Sequence, residues 1–247
     1  MNFTILRFDT IESTNTEALN QARRGADEGL CVVARQQTAG RGRHGRVWIS
    51  EKDAGLFFSV VLRPPLEIRF LPLVTLMSAV AVHDTLETLY EIDCDIKWVN
   101  DIQVRGRKLC GILAETTETA KGLAVVVGIG INLSSSNFPP EIAGTATSVE
   151  AETGRIPNVE TLLQKLTFFL STFCEYLYGA HGAEKIRAEW TRRSSYASGK
   201  RVRVVLENET IHGTTHGIEE NGALRVELEA GEIRIVNAGD VENLRSF

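Results

Sequence analysis

The chain has 247 residues, of which 43% are hydrophobic and 24% charged, and its formal net charge at pH 7 is -5. This composition is typical of a soluble globular protein, and the acidic balance argues against a nucleic-acid binder held by bulk positive charge. No uninterrupted apolar run approaches the roughly 20 residues that span a bilayer, so we predict no membrane partner. The four cysteines form no CxxC pair, and we predict that they are buried free thiols of a cytoplasmic protein.

The first ninety residues alternate between strand and helix patterns. Side-chain oxygens at Ser13, Thr14 and Asn15 predict the start of a helix, because such side chains cap free backbone N–H groups. Pro64 and Pro65 end an apolar strand. The predicted strands cover residues 3–9, 29–37 and 55–63, and a second helix is predicted over 71–90.

In residues 91–101, four apolar side chains alternate with charged ones, which predicts one strand with a buried face. These four are Ile92, Cys94, Ile96 and Trp98. Two more strands follow, with a turn near Lys121-Gly122 between them. The second is apolar almost throughout, so both of its faces should be covered. A long helix is predicted over 160–178 and a weaker one over 183–194.

The pattern changes near residues 198–200, where short strands at close spacing begin. Turns that contain Asn208, Asn221-Gly222 and Gly231 separate four such strands. About fifty residues of this kind predict a small β-barrel. We therefore predict two domains, residues 1–196 and 197–247.

Residues 36–48, QQTAGRGRHGRVW, combine three arginines with three glycines. Glycines let backbone N–H groups converge on an anion, and guanidinium groups match carboxylates and phosphates. No acid lies between Arg35 and Ser50, so we expect the three arginines to repel one another and residues 38–46 to stay mobile until an anion binds. The alternative is a solvated basic loop.

A second group of polar residues lies in KWVNDI (97–102) and GRKLCGILAE (106–115). Lys97, Asn100, Asp101 and Lys108 are predicted at a strand end and in the next turn, where ligand sites often form. Lys108 can neutralise charge as phosphoryl bonds rearrange. The alternative is a surface turn with a solvated lysine.

A third segment is VVGIGINL (126–133). Gly128 and Gly130 in a buried strand permit close approach of a ligand or of another part of the chain. The segment is not a dinucleotide fingerprint, because no helix follows it. The alternative is a core strand in which Asn132 caps a turn.

Other features of the sequence give weaker indications of function. His212 and His216 lack further ligands nearby, so we predict no metal site in the protein. No GxSxG motif and no Cys/His pairing stands out, so we expect no covalent enzyme intermediate.

Taken together, these segments resemble the catalytic domain of biotin protein ligases. The family's GRGRxGRxW loop stands at residues 40–48, its GIGIN at 128–132 and its STN at 13–15. Its KWPND motif stands at 97–101 with Val99 in place of the usual proline, and its RKxxGILxE stands at 107–115. Some members carry a DNA-binding helix-turn-helix domain before STN. Only twelve residues precede Ser13 here, so we expect the form without that domain, and no DNA partner.

The resemblance implies an α+β fold, with a mixed sheet that has helices packed on one side and a small SH3-like barrel after it. It implies a homodimer that uses ATP and Mg²⁺ to adenylate biotin, then transfers biotin to a lysine of a biotin carboxyl carrier protein. The implied biotin-binding residues are Ser13, Thr14, Asn15, Gln37, Arg41, Gly42, Arg43, Lys108 and Gly111. The implied nucleotide-binding residues are Arg43, Arg46, Trp48, Asn100, Asp101, Lys108 and Asn132. Catalysis is assigned to Lys108, Arg43 and Asp101, the last as a base for the acceptor lysine.

Two alternatives stay open at this point. A lipoate ligase or lipoyl transferase shares the catalytic fold and differs in its acyl pocket. A non-catalytic biotin sensor would bind biotin without turning it over.

Overall fold

The structure, a computed structural model, describes residues 1–135 and 138–243; residues 244–247 of the predicted second domain lie outside the described part. The strands are β1 (Thr4–Ile11), β2 (Leu30–Gln37), β3 (Gly55–Leu62), β4 (Asp95–Lys97), β5 (Asp101–Val104), β6 (Arg107–Thr119), β7 (Gly122–Asn132), β8 (Ser198–Val205), β9 (Thr210–Ile218), β10 (Leu224–Leu228), β11 (Ile233–Val236) and β12 (Asp240–Asn243). The helices are α1 (Thr14–Arg23), α2 (Pro72–Tyr90), α3 (Pro140–Ala143), α4 (Val149–Thr153), α5 (Val159–Tyr178) and α6 (Gly182–Arg193).

The first seven strands form one sheet in the order β1-β2-β3-β7-β6-β5-β4. β1 and β2 are parallel because α1 connects them, and the other neighbours are antiparallel. The predicted mixed sheet is confirmed.

One face of this sheet carries the main core. α2 lies on it, and α5 and α6 pack against α2. The segment Ile68–Tyr90 is long and apolar enough to cross a membrane, by length and composition alone, but 67% of its apolar window is buried in this core. Packing within the fold therefore accounts for its apolar side chains.

The opposite face is covered in part by α1, so the helices are not all on one side. Ser13 caps α1, its side chain accepting from the Thr16 N–H. The face of α1 that carries mostly small side chains packs on valines of the sheet. The side chains of these valines point away from the main core, because successive side chains of a strand point to opposite faces. These residues are Ala18, Leu19 and Ala22 of α1, and Val32, Val61 and Val126 of the sheet.

Strand alternation in β7 decides where the functional site can form. Val127, Ile129 and Ile131 enter the main core, so Gly128 and Gly130 face the side of α1. The register places Gly130 beside Gly111 of β6, and Gly128 beside Ser59 of β3. The sheet thus has a stretch without large side chains next to α1.

Two local predictions need correction. The strand predicted over 91–101 is limited to β4, although its four apolar residues are buried as predicted. The chain leaves the strand at Trp98 and turns through Asn100 before β5 begins. Lys108 is not in the turn but in β6, just after the turn at Arg105-Gly106.

The last five strands form a second, antiparallel sheet in the order β11-β10-β9-β8-β12. The sequence predicted four of them and missed β12, in which Val241 is the one apolar side chain. The sheet packs on the rest of the chain near α2, where Trp98 donates its indole N–H to the Gly222 carbonyl at 3.0 Å. Buried residues of both sheets form one continuous cluster.

Candidate active site

A cavity of about 620 Å³ lies on the α1 face of the large sheet. Gly128 and Gly130 of β7 form part of the cavity wall that the sheet provides. Side chains of other residues occupy the space that a side chain at either position would need. A Cβ atom at Gly130 would lie 2.5 Å from the Trp48 ring, and one at Gly128 would lie 2.1 Å from Asn15 Oδ1. The glycines singled out in the sequence therefore do permit a close approach.

All fourteen residues that the sequence predicted for the site line this one cavity. They are Ser13, Thr14, Asn15, Gln37, Arg41, Gly42, Arg43, Arg46, Trp48, Asn100, Asp101, Lys108, Gly111 and Asn132. Their roles in binding remain predictions, and the geometry below supports them.

One end of the cavity is lined by neutral polar groups at the start of α1. Gln37 Oε1 accepts from the Thr14 backbone N–H at 2.8 Å and from its hydroxyl at 3.1 Å. Gln37 Nε2 in turn donates to Ser50 Oγ at 2.8 Å. Ser59, fully buried in β3, places its hydroxyl within 2.8 Å of the Thr14 hydroxyl and 2.6 Å of Asn15 Oδ1. This end offers directional hydrogen bonds without net charge.

Lys108 lies at the middle of the cavity. Its Nζ is 2.7 Å from Asp101 Oδ1 and 5.3 Å from the centre of the Trp48 ring. Its backbone is also held, since its N–H donates to the Thr145 carbonyl at 2.8 Å and its carbonyl accepts from the Thr147 N–H at 2.9 Å. Asn132 donates to the carbonyls of Lys108 and Thr147. The ammonium is thus presented from a fixed backbone.

The other end contains Trp48, Asn100 and Asp101. Asn100 donates its amide to the Ile112 carbonyl at 2.9 Å, so its Oδ1 faces Arg43 at 3.1 Å. The indole Nε1 of Trp48 is buried and has no hydrogen-bond partner among the described residues. A planar ring, an amide and a spare donor are suited to a nucleotide.

The three loop arginines are not left to repel one another, contrary to our expectation. Arg41 is paired with Glu115 of β6 at 2.7 Å, and Arg46 with Asp240 of β12. Arg43 donates to Asn100 and, at 3.4 Å, to the Gly239 carbonyl. The acids missing from the loop come from strands distant in sequence. Whether the loop is mobile stays a prediction.

Burial lowers the pKa of the Arg43 guanidinium, while the nearby carboxylates of Asp240 and Asp101 oppose that shift. An arginine side chain nonetheless keeps its charge at neutral pH. Because the Arg43 guanidinium is partly desolvated, water screens its charge only weakly, and its attraction to an anionic ligand is stronger than that of an exposed arginine.

Several residues of the site were not predicted. Glu115 and Asp240 pair with the loop, and Ser59 supports α1. Glu115 stands in a motif that the sequence analysis quoted without a role, whereas Asp240 lies in the strand that was missed. A segment around α3 also lines the cavity, through Phe138, Ile142, Thr145 and Ala146.

The cysteines contribute no nucleophile to this site. All four are buried free thiols, as predicted. Burial raises the pKa of Cys31, Cys94 and Cys174 to about 12. Cys110 is buried in the main core, and burial raises its pKa well above the usual range too.

Comparison with known proteins agrees with this geometry. A model of the Biotin/lipoate A/B protein ligase family matches residues 7–132, and one of the Biotin protein ligase C terminal domain matches 197–242. The bifunctional ligase/repressor BirA of Bacillus spizizenii is 38% identical over 240 residues, which cover 95% of this chain and 72% of the relative. The chain belongs to the biotin protein ligase family.

Two further members show the extent of the similarity. The biotin–[acetyl-CoA-carboxylase] ligase of Paracoccus denitrificans is 33% identical, and the match covers 93% of this chain and 96% of that ligase. The biotin protein ligase of Aquifex aeolicus, solved in complex with biotin and ATP, superposes with a TM-score of 0.84 at 28% identity. That match covers 98% of this chain and 99% of the other. The predicted fold class is thereby confirmed.

Proposed function

We propose that this protein is an ATP-dependent biotin protein ligase and that the cavity is its active site. The observation that carries the proposal is the order of groups along the cavity. Neutral hydrogen-bonding groups lie at one end, Lys108 lies in the middle, and Trp48 with Asn100 lies at the other end. This order fits biotin, its carboxylate beside the α-phosphate, and the nucleotide.

In the first step, the biotin carboxylate attacks the α-phosphate of ATP, and pyrophosphate leaves with both electrons of the broken P–O bond. The reacting groups are both anionic and repel each other, so the site must supply positive charge and hold them in line. Lys108 neutralises charge between them, and Arg43 and Arg46 bind the phosphates. ATP would enter as its Mg²⁺ complex, and Asp101 beside Lys108 and Asp240 beside Arg46 are carboxylates that would suit this ion, which would neutralise charge on the leaving pyrophosphate.

In the second step, a lysine amine of the acceptor protein attacks the acyl carbon of biotinyl-5′-AMP, and AMP leaves. A free lysine has a pKa of about 10.4, so the amine must lose a proton before or during attack. Asp101 is the base we propose, since it lies beside Lys108 at the reacting centre. Its carboxylate is released from Lys108 when substrate anions take its place.

The acceptor that we propose is a biotin carboxyl carrier protein, and the relatives named as ligases that act on acetyl-CoA carboxylase support a carboxylase as its source. The resemblance to the family supports a homodimer. The acidic net charge supports a protein partner rather than DNA. Four thiols in the reduced state fit a cytoplasmic location, and the burial of α2 fits a protein without a membrane partner.

Exchange of labelled pyrophosphate into ATP tests this proposal. It should depend on biotin and not proceed with lipoate in its place, since the polar end of the cavity offers hydrogen bonds that a dithiolane cannot use. Exchange driven by lipoate would indicate a lipoate ligase. Binding of biotin without any exchange would indicate a sensor.

A further inference from the structure

Asn15 lies at the neutral end of the cavity, and both hydrogens and one oxygen lone pair of its amide are engaged. Its Nδ2 donates to the Leu113 carbonyl at 3.2 Å and to Glu115 Oε2 at 2.9 Å. Its Oδ1 accepts from the Ser59 hydroxyl at 2.6 Å. Both Nδ2 hydrogens of Asn15 thus point toward β6, and Oδ1 points toward Ser59 of β3.

Glu115 settles which way this amide points. Rotation by 180° would place Asn15 Oδ1 against a carbonyl oxygen and a carboxylate, and two acceptors cannot satisfy each other. The same Glu115 oxygen also accepts from Arg41 Nη2 at 2.7 Å, so it is an acceptor toward both neighbours. The glycine at 128 leaves the room that Asn15 Oδ1 needs.

The orientation has a consequence for the substrate. An amide oxygen has two lone pairs, and Ser59 uses one of them. Asn15 therefore presents a hydrogen-bond acceptor to the cavity and no donor. A head group that carries an N–H, such as a cyclic urea, satisfies this acceptor. A head group with an oxygen or sulfur atom at that place leaves it unpaired.

We propose that Glu115 is a specificity-determining positioning residue: by fixing the Asn15 amide, it makes the site select acids whose head group donates an N–H. This inference rests on the proposed function and assigns a role to a residue that lies behind the substrate. Arg41 has a second role here, because its ion pair with Glu115 ties the start of the loop to the head-group end.

The test compares biotin with its two cyclic carbamates, in each of which one urea N–H is replaced by a ring oxygen. Pyrophosphate exchange gives kcat/KM for each acid with the parent enzyme and with Glu115→Gln. Glutamine is nearly isosteric but can donate to Asn15, so it removes one of the two acceptors that oppose the rotated amide and loosens the control of its orientation; the Leu113 carbonyl remains. Glu118→Gln is the matched control, an exposed glutamate three residues further along β6.

The parent should prefer biotin over at least one carbamate, and in Glu115→Gln that preference should fall about tenfold, the worth of one well-placed hydrogen bond. The KM for biotin should rise, while kcat at saturating biotin and the KM for ATP stay within about twofold, since the group lies far from the phosphates. Glu118→Gln should match the parent. Glu115→Asp keeps an acceptor-only carboxylate, so it should retain more of the preference than Glu115→Gln.

Equal decreases in kcat/KM for biotin and for both carbamates in a folded Glu115→Gln variant would overturn the inference. Such a result would indicate a general structural defect, which does not distinguish an N–H from an oxygen. If Glu115→Gln does not fold, an unchanged preference with loss of activity in Glu115→Asp would overturn it in the same way. Absence of biotin-dependent exchange in the parent would instead contradict the proposed function.

Discussion

Lys108 is the residue on which the chemistry most depends. Its side chain is 35% exposed and forms an ion pair with Asp101, so Lys108→Ala should lower the free energy of unfolding by no more than about 1 kcal/mol. Loss of a cation beside the α-phosphate should slow pyrophosphate exchange by about a hundredfold or more. Lys121→Ala is the control, since this lysine pairs with Asp27 at the β6–β7 turn. Near-parental exchange in a folded Lys108→Ala variant would remove Lys108 from the mechanism.

Gly130 is required by Trp48 rather than by its own backbone. A methyl group there would meet the indole at 2.5 Å, so Gly130→Ala should displace the ring, at a cost of about 1–3 kcal/mol. The KM for ATP should rise and tryptophan fluorescence should change, because the other two tryptophans are buried elsewhere. Gly144→Ala, where a methyl group meets open space, should change neither. An unaltered KM for ATP in Gly130→Ala would show that the indole does not contact the nucleotide.

At this scale, the residues named from the sequence line one cavity because they stand in local motifs that resemble those of the family. Residues within GRGRHGRVW or KWVND are neighbours in any fold, and their chemistry can be weighed directly. The partners of those residues could not be found in the same way. Arg41 meets Glu115 across 74 positions and Arg46 meets Asp240 across 194. Such pairs depend on sheet order, which no local pattern encodes.

The element with the clearest functional consequence is the loop over residues 38–46. Arg43 ties it to Asn100 and Gly239, so Arg43→Gly should weaken closure over the reactive adenylate. Lys108 remains, so some adenylate still forms and escapes to acylate bystander lysines. His44→Gly is the matched control, since His44 already adopts a positive φ of 54° and glycine accepts that conformation without losing the guanidinium.

Streptavidin blotting of serum albumin, incubated with each enzyme, biotin and Mg-ATP, measures the escape. Labelling should rise with Arg43→Gly and stay at the parental level with His44→Gly. If Arg43→Gly releases pyrophosphate while albumin stays unlabelled, Arg43 does not hold the loop closed.

The contact between α2 and α6 controls stability rather than chemistry. Asp84 and Arg193 are each 13% exposed and meet at 2.7 Å. Burial raises the pKa of Asp84, but hydrogen bonds from His83 and Arg193 outweigh it and leave the pKa below its usual value. The folded pKa is therefore below the unfolded one, so this stabilisation is present above about pH 4 and is lost as pH falls through the folded value.

Asp84→Asn should accordingly lower the free energy of unfolding at pH 7 by about 2 kcal/mol, because Arg193 loses one of its two carboxylate partners and keeps only Glu189. Urea unfolding between pH 3 and pH 7 measures this. The difference between parent and variant should shrink toward acid pH. A difference that stays constant with pH would mean that the charge of Asp84 does not contribute.

Element types were largely predictable, since long apolar patterns dominate local structure, as in α2 and β7. The lengths of the strands, and the face of the sheet on which a helix lies, were less predictable. The alternation at 91–101 correctly gave the buried side chains, yet only three residues pair as a strand, because pairing needs a neighbour that the pattern does not contain. α1 lies on the opposite face from the other long helices because its small residues fit the valines there.

At the scale of the whole molecule, the second sheet takes part in the site. It shares one hydrophobic cluster with the large sheet and supplies Asp240 to the loop. Three of the cations that line the cavity are balanced by carboxylates from three different strands: Lys108 by Asp101, Arg41 by Glu115 and Arg46 by Asp240. We expect substrate anions to replace some of these carboxylates, and where they replace Asp240 at Arg46, binding should change a contact between the loop and the second sheet.

The most direct test of the account is mass spectrometry of the protein after incubation with biotin and Mg-ATP. Under native conditions, the parent should carry the added mass of one biotinyl-5′-AMP, and Lys108→Ala should carry none or little. Under denaturing conditions that mass should be lost, since the cavity contains no group that we expect to form a covalent intermediate. Absence of the adenylate from the parent, or an adduct that survives denaturation, would contradict the account.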